Sequence, residues 1–178
     1  MRIINQWLED WHFRQLQKKI QLTTIERKQV SYSEATAIGI LFNASEAGSL
    51  KVVQDFEKAL RKKDKSVKAL AYCTDKLQRE NFPYPTFGKQ EVSIAFQPKG
   101  QAIENFIQKP FDILFNLYQQ ESLPLGYISA CSKAHLRIGP ANDKTFYYDL
   151  MIDMPEGKDL NYFIQQAETI LRNVNTDQ

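Results

Sequence analysis

The sequence predicts a three-layer α/β protein in which a mostly parallel, five-stranded sheet, in the strand order 3-2-1-4-5, has helices on both faces. Three observations predict this class. The apolar runs at 37–44 and 111–118 lack the polar alternation of a half-exposed strand, as strands covered on both faces do. Segments with apolar residues at helical spacing follow such runs. Strands that alternate with helices in this way form parallel sheets through right-handed crossovers.

The first predicted strand and helix form a β-α unit. Residues 37–44 read AIGILFNA and predict the strand. The helix after it is predicted to reach residue 61, because four apolar residues recur there at helical spacing, namely Leu50, Val53, Phe56 and Leu60. Ser45 is the predicted N-cap, with Glu46 beside the positive end of the helix dipole. The apolar run at 67–73 then predicts a second strand beside the first.

Prolines interrupt the chain after the second strand. Pro83 and Pro85 predict a loop at 76–88, because proline disrupts both helices and strand pairing. A short third strand is expected at 91–96, near an edge of the sheet. Residues 100–108 then have room for about two helical turns.

The fourth predicted strand, at 111–118, reads FDILFNLY and leads into a predicted helix at 122–139. Pro124 favours the start of this helix and Gly139 favours its end. This interpretation places Arg137 on a helix.

The fifth predicted strand, at 146–153, alternates more openly than the others and is expected at an edge of the sheet. Asp149 and Asp153 share one face of it, about 13 Å apart at the rise of an extended chain. That distance is too long for the two carboxylates to share an ion, so we expect them to keep an edge strand hydrated. Asp159 is the predicted cap of the final helix.

Residues 1–33 are predicted to form an amphipathic helical extension, and residues 34–178 a single α/β domain. The extension contains both tryptophans, Trp7 and Trp11. These rings can pack against the protein's own core, form a contact between two copies, or lie at a membrane surface. Packing on the core is the favoured interpretation, and two acidic residues in the same helix count against the membrane.

Composition limits the function. The chain has 178 residues and is 43% hydrophobic, which is enough for one domain with a substantial core. With 23 basic and 21 acidic side chains the net charge is +2, so the overall charge does not indicate a nucleic-acid-binding protein. The basic run comprises Arg61, Lys62, Lys63 and Lys65. It is more typical of a hydrated helix end than of a phosphate-binding site.

The two cysteines indicate a reducing compartment. Cys73 and Cys131 lie far apart in apolar segments and form neither a CxxC pair nor a disulfide framework. The chain has no apolar run long enough to span a membrane, and no signal peptide is recognisable at its start. We therefore expect a cytoplasmic protein without a membrane partner.

The candidate ligand site follows from the predicted sheet. In open α/β sheets, ligands bind beyond the carboxyl ends of the strands where the strand order reverses, here between strands one and four. The polar residues expected to line that crevice are Asn43, Ser45, Glu46, Thr74, Asn116, Tyr118 and Arg137. Their polar groups and the free N–H groups of a helix start can bind a nucleotide or another small phosphorylated ligand. The favoured alternative is that Asn43 and Ser45 only cap the turn and the helix.

No cofactor-binding motif accompanies this crevice. The segment ASEAGS after the first strand contains one glycine, Gly48, where a dinucleotide fingerprint has three. The sequence also has no GxxxxGK[ST] loop for a triphosphate. We therefore expect no cofactor.

The sequence favours a protein without catalysis. His135 and Arg137 are the natural candidates for proton transfer and anion binding, but no partner carboxylate is evident for them. His12 is a weaker candidate, and two histidines with scattered cysteines do not form a metal site. The prediction is a noncatalytic module that acts through protein contacts, as a homodimer. The alternative is a binding module or small enzyme for a nucleotide or phosphorylated ligand.

Two stretches resemble a known group of proteins. The run FDILFNL, followed by P-L-x-Y-I-S-A-x-S-K-A-x-L-R-I-G, resembles a family of bacterial α/β proteins of about this length, found mainly in Bacteroidota. The resemblance covers most of the chain after the N-terminal helix. It implies a single α/β domain, a cytoplasmic location and no assigned activity.

The same run also resembles, over a shorter stretch, the N-terminal domain of heptosyltransferase-type glycosyltransferases. Asp112, Leu117, Arg137 and Gly139 match the pattern of a strand followed by a helix and an R-φ-G turn. Asn116 replaces an acidic residue of that pattern, and the chain is too short for a nucleotide-sugar domain. This resemblance implies the fold and not the reaction.

Overall fold

Strands and helices alternate along most of the chain. The computed structural model describes residues 2–22, 27–28, 30–75, 79–144 and 146–173. The helices are α1 (Arg2–Leu22), α2 (Ser49–Arg61), α3 (Gln101–Gln108), α4 (Leu123–Cys131) and α5 (Leu160–Asn173). The strands are β1 (Ala37–Asn43), β2 (Ser66–Tyr72), β3 (Thr86–Phe87), β4 (Ile113–Leu117), β5 (Leu136–Pro140) and β6 (Leu150–Ile152). The described part of the chain is therefore α/β, as predicted.

The strands form one parallel sheet in the order β3-β2-β1-β4-β5-β6. β1 lies at its centre, where Ile38 is the register partner of Val67 on one side and Ile113 on the other. The predicted sheet of five strands is therefore wrong by one strand, although the predicted order of strands two, one and four at its centre is confirmed. The reversal of strand order between β1 and β4 is where the prediction placed it.

The missing strand is β5, which the sequence analysis assigned to a helix. α4 ends at Cys131 because Ser132 takes an extended conformation, with φ −62° and ψ 141°. The chain then pairs with β4, and Ile113 becomes the partner of Leu136. Gly139 does not end a helix. A Cβ at that position would lie 2.4 Å from the ring of Tyr148, so the glycine provides room for that ring.

Two further predictions about local structure are wrong. The segment 91–96 is not a strand: a 3₁₀ turn occupies Lys89–Glu91, and only an isolated bridge joins Val92 to Pro98. The third strand is β3, inside the predicted loop at 76–88, of which residues 76–78 lie outside the described part. Pro85 remains compatible with pairing because it contributes its carbonyl, to Ala71 N at 3.0 Å, and a proline carbonyl accepts normally.

The start of α2 also differs from the prediction. Ser45 is not the N-cap. The N-cap is Gly48, with φ 77° in the left-handed region that favours glycine, and no side chain of the described residues caps the helix. At α5 the prediction holds, since Asp159 Oδ1 accepts a bond from Tyr162 N at 3.0 Å.

Two apolar clusters, one on each face of the sheet, make the core. On one face, Phe56 of α2 and Phe163 of α5 pack with residues of the central strands such as Ile40. On the other face, Phe106 of α3 and Ile128 of α4 pack with Leu41 and Leu114, among others. These two clusters confirm the prediction of helices on both faces.

α1 packs on the second cluster through one side only. Leu16 and His12 are completely buried, and His12 Nδ1 lies 2.7 Å from the carbonyl oxygen of Ala95. Lys19 Nζ donates to Tyr127 OH at 2.6 Å, which ties α1 to α4. Trp7 and Trp11 remain 65% and 39% exposed. None of the described helices combines the length and the apolar character needed to cross a bilayer.

Candidate functional site

A cleft of about 580 Å³ lies at the carboxyl ends of β1 and β2. Its walls come from the turn after β1, from Thr74 and Asp75 after β2, and from Asn81, Phe82 and Pro83 in the following loop. The cleft is therefore located one strand away from the reversal point, between β1 and β2 rather than between β1 and β4. Four predicted site residues lie at or beside it, namely Asn43, Ser45, Glu46 and Thr74.

A pair of hydroxyls joins the two strand ends. Ser45 Oγ and Thr74 Oγ1 lie 3.0 Å apart, and Ser45 Oγ also accepts a bond from Thr74 N at 3.2 Å. Asn43 shapes the turn before them, because its Oδ1 accepts from Ser45 N at 3.1 Å. This side-chain bond to the backbone two residues later is an Asx turn. Asn43 thus has the turn-capping role that the sequence analysis favoured, whereas the hydroxyl of Ser45 faces the end of β2.

Glu46 connects the turn after β1 with the turn after β4. Its two carboxylate oxygens accept from Gln119 N at 3.0 and 3.2 Å, and Oε1 also accepts from Gln120 N at 3.2 Å. The carboxylate therefore covers the crevice at the reversal point. A ligand at that point would have to replace these bonds.

The start of α2 forms part of the floor of the cleft. Gly48 and Leu50 line it. Ser49 N donates to Glu46 O at 3.2 Å, and the hydroxyl of Ser49 is buried with no hydrogen-bond partner among the described residues. In any helix, the backbone N–H groups of the first turn have no acceptor within the helix itself.

Asn116 and Tyr118 do not reach the cleft. Asn116 is fully buried in the sheet, where its Nδ2 donates to Ile138 O at 2.9 Å, and its Oδ1 has no partner in the described part of the chain. The hydroxyl of Tyr118 is bonded to that of Tyr148 inside the second cluster. Burial raises the pKa of Tyr118 far above its ordinary value, and the neighbouring hydroxyl of Tyr148 adds to this effect. Both side chains act as internal polar links.

Arg137 also lies away from the cleft, and Asp149 neutralises it. Its Nε and Nη2 donate to the two oxygens of Asp149 at 2.9 and 2.8 Å, and its backbone N donates to the same carboxylate at 2.8 Å. Burial favours a raised pKa for Asp149, but the bonds and charge of Arg137 outweigh it and hold the pKa below its ordinary value. The expectation that Asp149 only keeps an edge strand hydrated is therefore incomplete.

His135 has a carboxylate partner that the sequence analysis missed. Its Nδ1 lies 3.7 Å from Asp112 Oδ1, at the amino ends of the neighbouring strands β4 and β5. The other oxygen of Asp112 accepts from Thr36 N and Ala37 N at 2.8 Å each, which fixes the entry into β1. The missed signal is positional: each residue directly precedes a strand, and those two strands pair in parallel.

The remaining nucleophilic and metal-binding side chains of the described residues are dispersed. Cys73 and Cys131 are both buried, and burial raises the pKa of Cys131 to about 11. Within the described ranges, no three histidine, cysteine, aspartate or glutamate side chains come together as a metal site. Asn81 and Phe82, which line the cleft, were not identified as site residues because the proline-rich loop has no periodic pattern to indicate where its side chains point.

Comparison with known proteins connects this geometry to a family. A family model described as "Family of unknown function (DUF6913)" matches residues 9–174, which include all of the sheet and every residue of the cleft. Comparison with curated proteins finds no match. Comparison with solved structures finds none either. Since the family model covers most of its length, the chain belongs to the DUF6913 family.

Proposed function

We propose that the protein is a noncatalytic α/β module of the cytoplasm that acts through protein contacts, as a homodimer. The observation that carries the proposal is the pair Trp7 and Trp11 on the outer face of α1. Their rings stack, with centroids 6.3 Å apart and an interplanar angle of 15°, yet they are 65% and 39% exposed. Large aromatic side chains that stay outside the core are typical of interaction surfaces, where tryptophan is a frequent hot-spot residue.

The outer face of α1 has the pattern of a self-complementary surface. Positions 7, 11, 14 and 18 follow one another at spacings of four, three and four, which aligns them along one stripe of the helix. Trp7 and Trp11 occupy its first half, and Arg14 and Lys18 its second. When two such helices pack antiparallel, the aromatic half of each faces the basic half of the other, which favours cation–π contacts. A two-fold axis makes this contact twice.

Charge supports the same antiparallel arrangement. Asp10 precedes Trp11 by one residue, and Arg14 follows one turn later. In an antiparallel pair whose axis passes near position 12, Asp10 of each copy lies opposite Arg14 of the other. A parallel pair would instead bring like charges together. The surface is therefore suited to a second copy of the chain.

The partners of the chemistry-bearing residues support a noncatalytic role. Arg137 is engaged with Asp149, Tyr118 with Tyr148, and Asn116 with a backbone carbonyl. These interactions stabilise the sheet and its helices. Cys73 and Cys131 are both buried and form no CxxC motif, which supports a reducing compartment. The bacterial origin implied by the sequence resemblance and the likeness to glycosyltransferase domains stay predictions.

Sedimentation velocity over a range of protein concentrations tests the homodimer. We expect a dimer whose population rises with protein concentration. Trp11→Ala should raise the dissociation constant of this dimer about 30-fold, because loss of a hot-spot tryptophan costs about 2 kcal/mol. Arg14→Asp and Asp10→Arg should each weaken self-association. Mixing the two variants should restore it, because both contacts of the mixed dimer then join opposite charges. Asp143→Arg, on an exposed loop, is the matched charge-reversal control.

A monomer at all concentrations contradicts the homodimer. So does a dimer that Trp11→Ala leaves unchanged. If the single charge variants dimerise as well alone as when mixed, the antiparallel contact through α1 is wrong.

A second candidate function is binding of a nucleotide or phosphorylated ligand in the cleft after β1 and β2. The cleft volume, the Ser45 and Thr74 hydroxyls, and the uncapped start of α2 favour it. The strand order is that of doubly wound, Rossmann-like sheets, whose ligands bind at this edge. Asp75 also lines the cleft, and a carboxylate there suits the hydroxyl groups of a sugar.

Thermal-shift measurements with nucleotides, sugar nucleotides and sugar phosphates test this candidate. A ligand present at 100 times its dissociation constant should raise the free energy of unfolding by about 2.7 kcal/mol. Thr74→Val should abolish the shift, whereas Thr169→Val, on the exposed side of α5, should leave it unchanged. No shift with any of these compounds rejects ligand binding in the cleft.

A further inference from the structure

Over five of its seven residues, the outer edge of β2 has no neighbouring strand in the part of the chain that the structure describes. β3 pairs only with Ala71 and Tyr72, through bonds from Ala71 N to Pro85 O at 3.0 Å and from Cys73 N to Phe87 O at 2.8 Å. Residues 66–70 pair with β1 on the inner side and with no described strand on the outer side. The edge of the sheet is therefore open over five residues.

Two residues of this edge point their backbone groups outward. Ser66 N donates inward, to Thr36 O at 2.7 Å, and Ala71 N donates outward. Because successive residues of a strand alternate, the N–H and C=O groups of Val67 and Ala69 also point outward. Arg61 Nη2 donates to Val67 O at 3.2 Å. Within the described chain, no residue donates to or accepts from the backbone of Ala69 on that side.

On the side of α3, an apolar groove lies along the open edge. It has a volume of about 330 Å³ and is lined by Lys68, Ala69, Leu70, Phe106, Lys109 and Phe111, among others. Aromatic and aliphatic carbons form its floor. Lys68 is exposed, and Lys109 Nζ lies over the ring of Phe111, 5.6 Å from its centre. A side chain that points into this groove from an added strand would be apolar.

On the side of α2, the same edge has a basic groove. Lys58, Arg61 and Lys62 line it together with Glu57 and Tyr84. The carboxylate of Glu57 is occupied, because it accepts from Arg61 at 2.6 Å and from the hydroxyl of Tyr84 at 2.5 Å. Glu57 therefore balances Arg61, and the groove keeps the excess positive charge of Lys58 and Lys62. A side chain that points into it from an added strand would be acidic.

We propose that the open edge of β2 binds an extended segment of a partner protein. Apolar and acidic residues alternate in this segment, which pairs with residues 66–70 of β2 and so adds a seventh strand to the sheet. Main-chain bonds to Val67 and Ala69 give affinity, as in other cases of strand addition. The alternation gives specificity, since one face of an added strand meets the apolar groove and the other the basic groove. The site is independent of the α1 surface and of the cleft after β1 and β2.

Fluorescence anisotropy with synthetic peptides tests the proposal. The probe is a fluorescein-labelled peptide in which valine and glutamate alternate over about eight residues, long enough to span five residues of strand. One comparison peptide replaces each glutamate by lysine. A second carries N-methyl groups on alternate residues, which removes donors without changing charge. We expect both comparison peptides to bind at least about tenfold more weakly than the probe.

Protein variants locate the binding at this edge. Ala69→Pro removes the outward N–H, which an edge strand tolerates, and should reduce probe affinity about tenfold. Lys62→Glu keeps the backbone intact and should reduce it about fivefold, so the proposal stays testable if Ala69→Pro unfolds the protein. Lys158→Glu is the matched control, because the backbone of Lys158 accepts from Gln119 after β4 and lines neither groove, so this variant should bind the probe as the wild type does.

Two results overturn the proposal. The first is that the N-methylated peptide binds as tightly as the probe, or that neither peptide binds. If neither binds, the exposed Lys68 only protects the edge from pairing. The second is a dimer that Ala69→Pro abolishes in a protein that ignores the probe, since the edge then pairs with a second copy.

Discussion

Arg137 and Asp149 bind each other through both side chain and backbone. The guanidinium donates to both carboxylate oxygens at 2.8 and 2.9 Å, while Asp149 N donates to Arg137 O at 2.9 Å. Arg137 lies in β5, and Asp149 directly precedes β6. The pair therefore fixes the register of the last two strands, which are joined over only three register pairs.

Asp149→Asn should destabilise the protein by about 3 kcal/mol. The guanidinium of Arg137 is only 8% exposed, and removing one partner of a buried pair leaves an uncompensated charge. Urea unfolding at pH 7 measures the change. Lys51→Ala breaks an exposed pair, with side chains 81% and 64% exposed, and should change the free energy of unfolding far less. A similar cost for both variants would contradict a structural role for the buried pair.

Gly139→Ala should cost about 2 kcal/mol or more, because its methyl group would overlap the ring of Tyr148. Gly157→Ala is the matched control. No atom of the described residues lies within 4 Å of a Cβ at Gly157, although its φ of 78° strains any other residue, so we expect a cost of about 1 kcal/mol. Adding Tyr148→Ala to the Gly139→Ala variant should recover part of the lost stability. Thermal unfolding of the wild type, the two single variants and the double variant completes the double-mutant cycle. Additive costs for the two substitutions would show that the ring is not the reason for the glycine.

The central strands could be predicted from the sequence, and the last ones could not. β1 and β4 are covered on both faces, so their apolar runs are unbroken and easy to recognise. β5 contains Arg137, whose charge is neutralised by Asp149, a residue twelve positions later. Gly139 has the typical signature of a helix end, yet its role is to make room for Tyr148. Both signals become clear only when the tertiary contacts are known.

The candidate site shows the same division. Asn43 lies at the end of the first predicted strand, and Ser45, Glu46 and Thr74 come after predicted strands, so the topology alone placed these residues at one edge of the sheet. Asn116 and Tyr118 lie on a strand end too, but their side chains point into the second cluster. Sequence alone does not give that orientation, because a strand buried on both faces has no polar side.

Leu16→Ala and Trp7→Ala should separate the core contact of α1 from its outer face. Leu16 is completely buried in the second cluster, so its truncation should lower the free energy of unfolding by about 3 kcal/mol. Trp7 is 65% exposed, so Trp7→Ala should lower the free energy of unfolding by about 0.5 kcal/mol or less in a dilute, monomeric sample. Chemical denaturation at low protein concentration measures both. Equal losses would show that the tryptophan face is part of the core.

Acidification should weaken the packing of α1 through His12. Burial lowers the pKa of His12, and it outweighs the opposing effects of the bond to Ala95 O and the charge of Glu9. The native state therefore binds fewer protons than the unfolded chain once the pH falls below about 6.5, the ordinary value of histidine, and stability decreases from there downward. The buried Nε2 has no partner among the described residues, so a proton there has no acceptor.

Denaturation at pH 7.5, 6 and 5 should show this loss of stability in the wild type. His12→Asn keeps a donor near the carbonyl of Ala95 without a titrating ring, so its stability should change less over the same range. An equal slope in the two proteins would assign the pH dependence to other groups.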